Sequence, residues 1–109
     1  MGYDYIKGPF AMYSLTHYPA ITQVQSSQQR VIKGQLFMTD EAGLAALDRL
    51  EGHPNYYTRR KEWTKVLEKK AWVYFMDRPK ALQHEEHLPA GIWRPSKVEE
   101  AFWKKQGEL

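Results

Sequence analysis

Apolar and polar positions alternate along this chain in short runs. Tyr3 to Lys7 and Phe10 to Ser14 read as two strands broken by Gly8-Pro9. Tyr18-Pro19-Ala20-Ile21 predicts a proline-containing loop that enters a further short strand. The Ser- and Gln-rich stretch from Gln23 to Gln29 predicts an exposed loop. Val31 to Met38 predicts a strand carrying Val31, Ile32, Leu36 and Phe37, with a bulge at Gly34. From Thr39 the period changes. Leu44, Leu47 and Leu50 recur at a spacing of three, which predicts a short helix with those leucines as its buried stripe. Asp40 and Glu41 suit its start as capping and dipole partners, and Gly52 suits a left-handed stop. A turn follows at Gly52-His53-Pro54-Asn55. Tyr56 to Leu67 alternates loosely up to the polar Glu68-Lys69-Lys70, and Ala71 to Met76 is the most strand-like run in the chain. Asp77 to Pro89 has no clear period. Ser96-Lys97-Val98-Glu99 fits a capping box and opens a last helix, with Val98, Ala101 and Phe102 on one side and Lys104 and Lys105 at its C-terminal end.

This order of elements predicts an α+β fold. A small curled mixed or antiparallel β-sheet or barrel would carry one central helix and a C-terminal helix. A chain of 109 residues makes one domain, taken here as 1–109, with a single core. The absence of cysteine excludes disulfides, thiolate metal sites and a cysteine nucleophile. No apolar run approaches the roughly 20 residues of a bilayer span, and the N-terminus does not read as a signal peptide, so a soluble cytoplasmic protein is the expectation. The formal charge of +3 is mild. Arg59, Arg60, Lys61 and Lys65 would serve an anion- or nucleic-acid-binding module, but Glu62 and Glu68 interrupt them, and a solvated strand face is the expected reading.

Glu51 carries the candidate chemistry. It lies four residues after Leu47 and seven after Leu44, so it projects from the same helix face. It also lies next to the helix stop. Apolar neighbours and the negative end of the helix dipole both disfavour a carboxylate and raise its pKa. Such a group is suited to proton transfer near neutral pH. The alternative is a plain helix-end residue, solvated or paired with Arg59 or Arg60. Tyr56 and Tyr57 should face opposite ways, one of them into the core. His84 and His87 are too few to make a metal site, and no metal or other cofactor is called for. His17 and His53 read as surface residues beside turns, although His53 is close enough to Glu51 to modulate it. Trp63, Trp72, Trp93 and Trp103 read as core or interface.

The segment Leu47-Asp48-Arg49-Leu50-Glu51-Gly52-His53-Pro54-Asn55-Tyr56-Tyr57-Thr58-Arg59 resembles the central motif of the gamma-glutamylcyclotransferase-like family. Tyr18-Pro19-Ala20-Ile21, Val31 to Phe37, and Ala71-Trp72-Val73-Tyr74 resemble its flanking strands. Gly91-Ile92-Trp93-Arg94 resembles a late Gly-Asp-Trp segment, with Ile92 in place of the acid. The resemblance runs from about Tyr3 to Arg94. It implies a barrel-like sheet and an intramolecular reaction, in which the α-amine of a γ-glutamyl compound attacks its own γ-carbonyl and releases 5-oxoproline and an amine. By motif position Glu51 would be the catalytic acid/base, with Tyr57, Tyr18, Pro19 and Trp93 at the substrate. The family's opening strand and Tyr-Gly-Thr/Ser-Leu loop, whose amides hold the substrate carboxylate, have no counterpart in these residues. A second reading is therefore a catalytically inactive member of this fold that binds a small ligand or a protein. The same gap predicts an open sheet edge beside Tyr3 to Ile6, covered by the C-terminal helix with Phe102 and Trp103 or by a second copy of the chain.

Overall fold

The computed structural model describes residues 2–15, 17–77 and 86–107. In chain order the described elements are β1 (Gly2–Gly8), β2 (Phe10–Ser14), β3 (Pro19–Gln23), β4 (Arg30–Leu36), α1 (Glu41–Glu51), β5 (Thr58–Trp63), β6 (Lys70–Phe75), β7 (Glu86–His87) and α2 (Lys97–Lys105). The class is α+β, as the pattern predicts. All strand pairings are antiparallel and fall into three small sheets, β1-β4, β3-β2-β7 and β5-β6. Among the described residues they do not close into a barrel. Only isolated bonds join the sheets, such as Met76 N–H to Ile21 C=O at 2.8 Å and Lys65 N–H to Tyr5 C=O at 3.0 Å.

β2 is the central element, and every one of its residues is buried. Side chains alternate across a strand, so β2 feeds two cores. Ala11 and Tyr13 join Leu15, Ala20, Tyr57 and Met76 on one face. Phe10 and Met12 join Ile6, Ile32 and Phe75 on the other, with Ile21, Val73 and Trp93 packed against them. This division decides below which candidate residues can meet.

Four local expectations change. β4 runs in unbroken register against β1, with Gly34 opposite Asp4, so Gly34 makes no bulge. Phe37 and Met38 lie beyond the strand end and are exposed. α1 has the expected caps, Asp40 accepting from Gly43 N–H and Gly52 at φ 66°, but its leucine stripe is not buried. Leu47 is 39% exposed and Leu50 78%. At about 100° per residue, Leu44, Asp48 and Glu51 form the arc that faces the sheet, and the polar contacts of Asp48 fix that rotation. α2 is capped by Ser96, which accepts from Glu99 N–H at 3.1 Å. Its buried residue is Trp103, fully enclosed, while Val98 is 71% exposed. The Glu99 carboxylate turns away from a reciprocal cap and accepts from Trp103 Nε1 at 3.1 Å. Phe102 and Trp103 meet the rings of Tyr3 and Tyr5 at centroid distances of 5.3 and 6.1 Å, which docks α2 on β1.

Asp4 ties β1 to the β5–β6 turn. Its buried carboxylate accepts from the N–H groups of Tyr5 and Val66 on one oxygen (both 2.8 Å) and of Leu67 on the other (2.9 Å). Gly91, at φ 67°, sits so close to β4 that a Cβ there would fall 1.9 Å from Val31 C=O. Among the described residues no helix is long and apolar enough to cross a membrane.

Candidate active site at the end of α1

The left-handed Gly52 stops α1 and turns the chain back on itself. His53 N–H donates to Asp48 C=O at 2.8 Å and Tyr56 N–H to Gly52 C=O at 2.7 Å. Tyr57 N–H then returns to Glu51 C=O at 3.2 Å. The helix end and the start of β5 are thus one compact unit, and the tyrosine pair of the turn is held against the last residue of the helix. The His53–Pro54 peptide within it is cis.

As expected, the two tyrosines diverge. Tyr57 is buried and its hydroxyl donates to Pro19 C=O at 3.1 Å. Tyr56 is half-exposed, its hydroxyl 3.4 Å from that of Tyr18, its ring edge-on to Tyr57 at 5.2 Å. Tyr18, Pro19, Tyr56 and Tyr57 therefore form one wall beside the end of the helix.

Glu51 is half-buried, and that burial raises its pKa above the ordinary glutamate value. Neither nearby arginine pairs with it. Arg59 Nε donates to Asp48 Oδ1 at 2.8 Å. Arg60 reaches Gln23 Oε1 at 2.5 Å through Nη1. Its Nε lies 2.9 Å from Glu62 Oε2 as a charge contact, and the angle there is too poor for a directed hydrogen bond. Tyr57 is pushed well above the ordinary phenol range, first by burial and then by the charge of Glu51. Tyr74 is raised to about 12, by burial and then by its bond to Asp48. Asp48, three residues earlier on the same helix face, is driven the other way. Hydrogen bonds from Arg59 and then from the Tyr74 hydroxyl (2.6 Å) hold its pKa below the ordinary value. Asp48 is the residue the sequence reading missed. Its spacing from Leu44 and Glu51 was the available signal, masked by the louder leucine repeat.

Trp93 does not join this group. It packs with the core on the opposite face of β2 from Tyr57. There it lines an apolar cleft of about 330 Å³, walled by β1, β3, β4 and β6 through residues including Ile6, Ile21, Ile32 and Val73. The indole Nε1 of Trp93 is buried without a hydrogen-bond partner among the described residues. Glu51 and Tyr57 do not line the cleft, whereas Pro19 does. The candidate residues therefore form two places that touch at Pro19, which lines the cleft and whose carbonyl holds Tyr57.

Among the described residues there is no group of three metal-capable side chains. His84 lies outside the described residues. His87 lies 3.1 Å from Arg30 Nη1 and packs on the Tyr13 ring at 5.2 Å. His53 Nδ1 accepts from Arg59 N–H at 3.3 Å, so it braces the turn.

Residues 3–95 match the family model described as "Gamma-glutamyl cyclotransferase, AIG2-like". A protein of Methanocaldococcus jannaschii, named "Putative gamma-glutamylcyclotransferase MJ1514", is 39% identical over 56 residues. That match covers 48% of this chain and 46% of the relative, so it spans about half the length of each. No solved structure matches the chain.

Proposed function

Because the chain belongs to the AIG2-like gamma-glutamyl cyclotransferase family, we propose that it acts as a gamma-glutamylcyclotransferase with Glu51 as the acid/base. The observation that carries the reading is the Glu51 carboxylate. It is half-buried at the end of α1, unpaired by either neighbouring arginine, with a raised pKa and the Tyr57 turn folded against it. The reaction closes a ring within one molecule. The α-amine nitrogen of the γ-glutamyl group bonds to the γ-carbonyl carbon, the bond from that carbon to the leaving amine breaks, and 5-oxoproline and a free amine result. One proton must pass from the attacking nitrogen to the leaving nitrogen. A carboxylate between the two can take it and return it, so its basicity should be tuned toward neutral pH. Tyr57, whose turn folds back on Glu51, would meet the substrate together with Tyr18 and Pro19. Neither water nor a cofactor enters the balance.

The test is release of 5-oxoproline from γ-glutamyl amino acids and γ-glutamyl amines. Wild type is expected to turn over, and Glu51→Gln to lose roughly 10²–10⁴-fold in kcat with its fold intact by circular dichroism. No release by wild type, or equal rates in both, overturns the reading. One observation favours a second reading, a binding module of this fold for a small ligand or protein. An apolar cleft of about 330 Å³ lies across β2 from Tyr57, and the buried indole N–H of Trp93 beside it has no partner among the described residues. Absent turnover together with saturable binding would select it.

A further inference from the structure

The turn that joins β5 to β6 has apolar side chains at its tip. It reads Thr64-Lys65-Val66-Leu67-Glu68-Lys69. Hairpin turns favour glycine, asparagine and other small polar residues. Here Val66 and Leu67 stand 51% and 42% exposed. Their side chains add little to the core, yet their backbone is held firmly. The buried Asp4 carboxylate accepts from the N–H groups of both. Lys65 N–H donates to Tyr5 C=O at 3.0 Å. Thr64, itself buried, donates to Lys69 C=O through its N–H (2.9 Å) and its hydroxyl (2.6 Å), and Lys69 N–H returns to Thr64 Oγ1 at 3.4 Å. The N–H groups of Thr64, Lys65, Val66, Leu67 and Lys69 are thus satisfied from within. The tip can leave water without stranding them.

The strands behind the tip continue the pattern. Side chains alternate across a strand, so Lys61 and Trp63 of β5 share the outer face of the hairpin with Lys70 and Trp72 of β6, and all four are exposed. The register sets Lys61 opposite Trp72 and Trp63 opposite Lys70. Trp63 is 50% exposed and Trp72 43%. From Lys61 to Lys70, four lysines therefore surround two indoles and an aliphatic pair. The same stretch holds two acids. Glu62 belongs to the inner face, 2.9 Å from Arg60 Nε, which leaves Glu68 as the acid beside the tip.

We propose that the tip and outer face of this hairpin are a docking surface for an anionic lipid bilayer. Three features choose that occupant. The lysines supply the charge complement of acidic headgroups, and their long stems let the ammonium reach water or phosphate while the tip sits lower. Tryptophan favours the headgroup boundary, where its ring meets apolar chains and its N–H stays wet. Val66 and Leu67, at the end of the hairpin with their N–H groups bonded to Asp4, can enter the acyl boundary. A single-stranded nucleic acid would use the cations and the indoles but would gain nothing from an aliphatic pair. The apolar area is small, so attachment is peripheral and reversible, and it needs the lysines and the apolar tip together.

Co-sedimentation of the full chain with phosphatidylcholine vesicles carrying about one-third phosphatidylserine tests the proposal. Binding is expected, falling as salt rises, and at least about tenfold weaker to phosphatidylcholine alone. Lys65→Gln with Lys69→Gln, and separately Val66→Ser with Leu67→Ser, should each weaken it at least about tenfold. All four side chains are exposed, so both variants should fold, which circular dichroism checks. Lys104→Gln with Lys105→Gln removes the same formal charge from the end of α2 and should change binding less than about threefold. Wild type gives a readout that needs no variant. Its tryptophan emission should be quenched by vesicles of the same composition with brominated acyl chains. Absence of binding to the anionic vesicles overturns the proposal. So does equal binding to neutral ones, a loss in the α2 variant as large as at the tip, or emission that brominated chains leave unquenched. An oligonucleotide that binds as tightly as the vesicles and displaces them overturns it too. None of these readouts depends on the reaction at Glu51.

Discussion

Two carboxylates on one face of α1 are pulled in opposite directions, and their surroundings separate their work. Asp48 has a cation and a phenol as donors and stays ionised, pinning the helix to the hairpin. Its folded pKa lies below 3.8, so its stabilising effect is present above that value and is lost as pH falls through the lowered one. Asp48→Asn should therefore lower Tm at pH 7, and the gap to wild type should narrow in thermal melts below pH 3.8. Glu51 has burial without a charge partner among the described residues. Its folded pKa lies above 4.5, so the stability it lends is present below 4.5 and is lost as pH rises through the raised value. Glu51→Gln should accordingly melt at or above wild type at pH 7, with the difference closing toward pH 4.5. If Glu51 is the base, the acid limb of kcat/KM should have its midpoint above 4.5 and vanish with the residual activity of Glu51→Gln. A variant that gained stability as it lost turnover would be the mark of a group held in place for chemistry rather than for packing.

At the scale of elements, the helices are placed by a few specific contacts rather than by their most apolar stripe. α1 turns Asp48 inward and leaves Leu50 in solvent. α2 buries Trp103 and leaves Val98 exposed. Trp103→Ala should cost about 3–5 kcal/mol in chemical denaturation, and Val98→Ala less than about 0.5 kcal/mol. The reverse order would mean that α2 is rotated on β1. The close seat of Gly91 on β4 makes a third case. Gly91→Ala places a methyl against Val31 C=O on a left-handed backbone, and it should cost more than about 2 kcal/mol. Periodicity foretold that the helices exist, and their caps located their ends. Which arc of each faces inward was not legible, because a short helix carries few apolar residues and one good ion pair or one large ring outweighs two leucines.

At the scale of the whole molecule, the basic run on β5 is largely committed inside the protein. Arg59 serves Asp48, Arg60 serves Gln23 and Glu62, and Lys61 lies over Trp72. With a formal charge of only +3, binding to a single-stranded oligonucleotide should be undetectable by fluorescence anisotropy near physiological salt. Tight, salt-sensitive binding would return that face to consideration. The sequence by itself determined the α+β order of elements, the capped helix ending at Gly52, the membership of one family, and a glutamate whose position would raise its pKa. These rest on neighbours within a few residues, where spacing, turn chemistry and the helix dipole act. Only the tertiary structure decided that the strands of the described residues stay as three sheets without closing, and that Tyr57 and Trp93 fall on opposite faces of β2. Those outcomes depend on which distant residues compete for the same side of a strand. Asp4 holds a turn more than 60 residues away, and no local pattern encodes that choice.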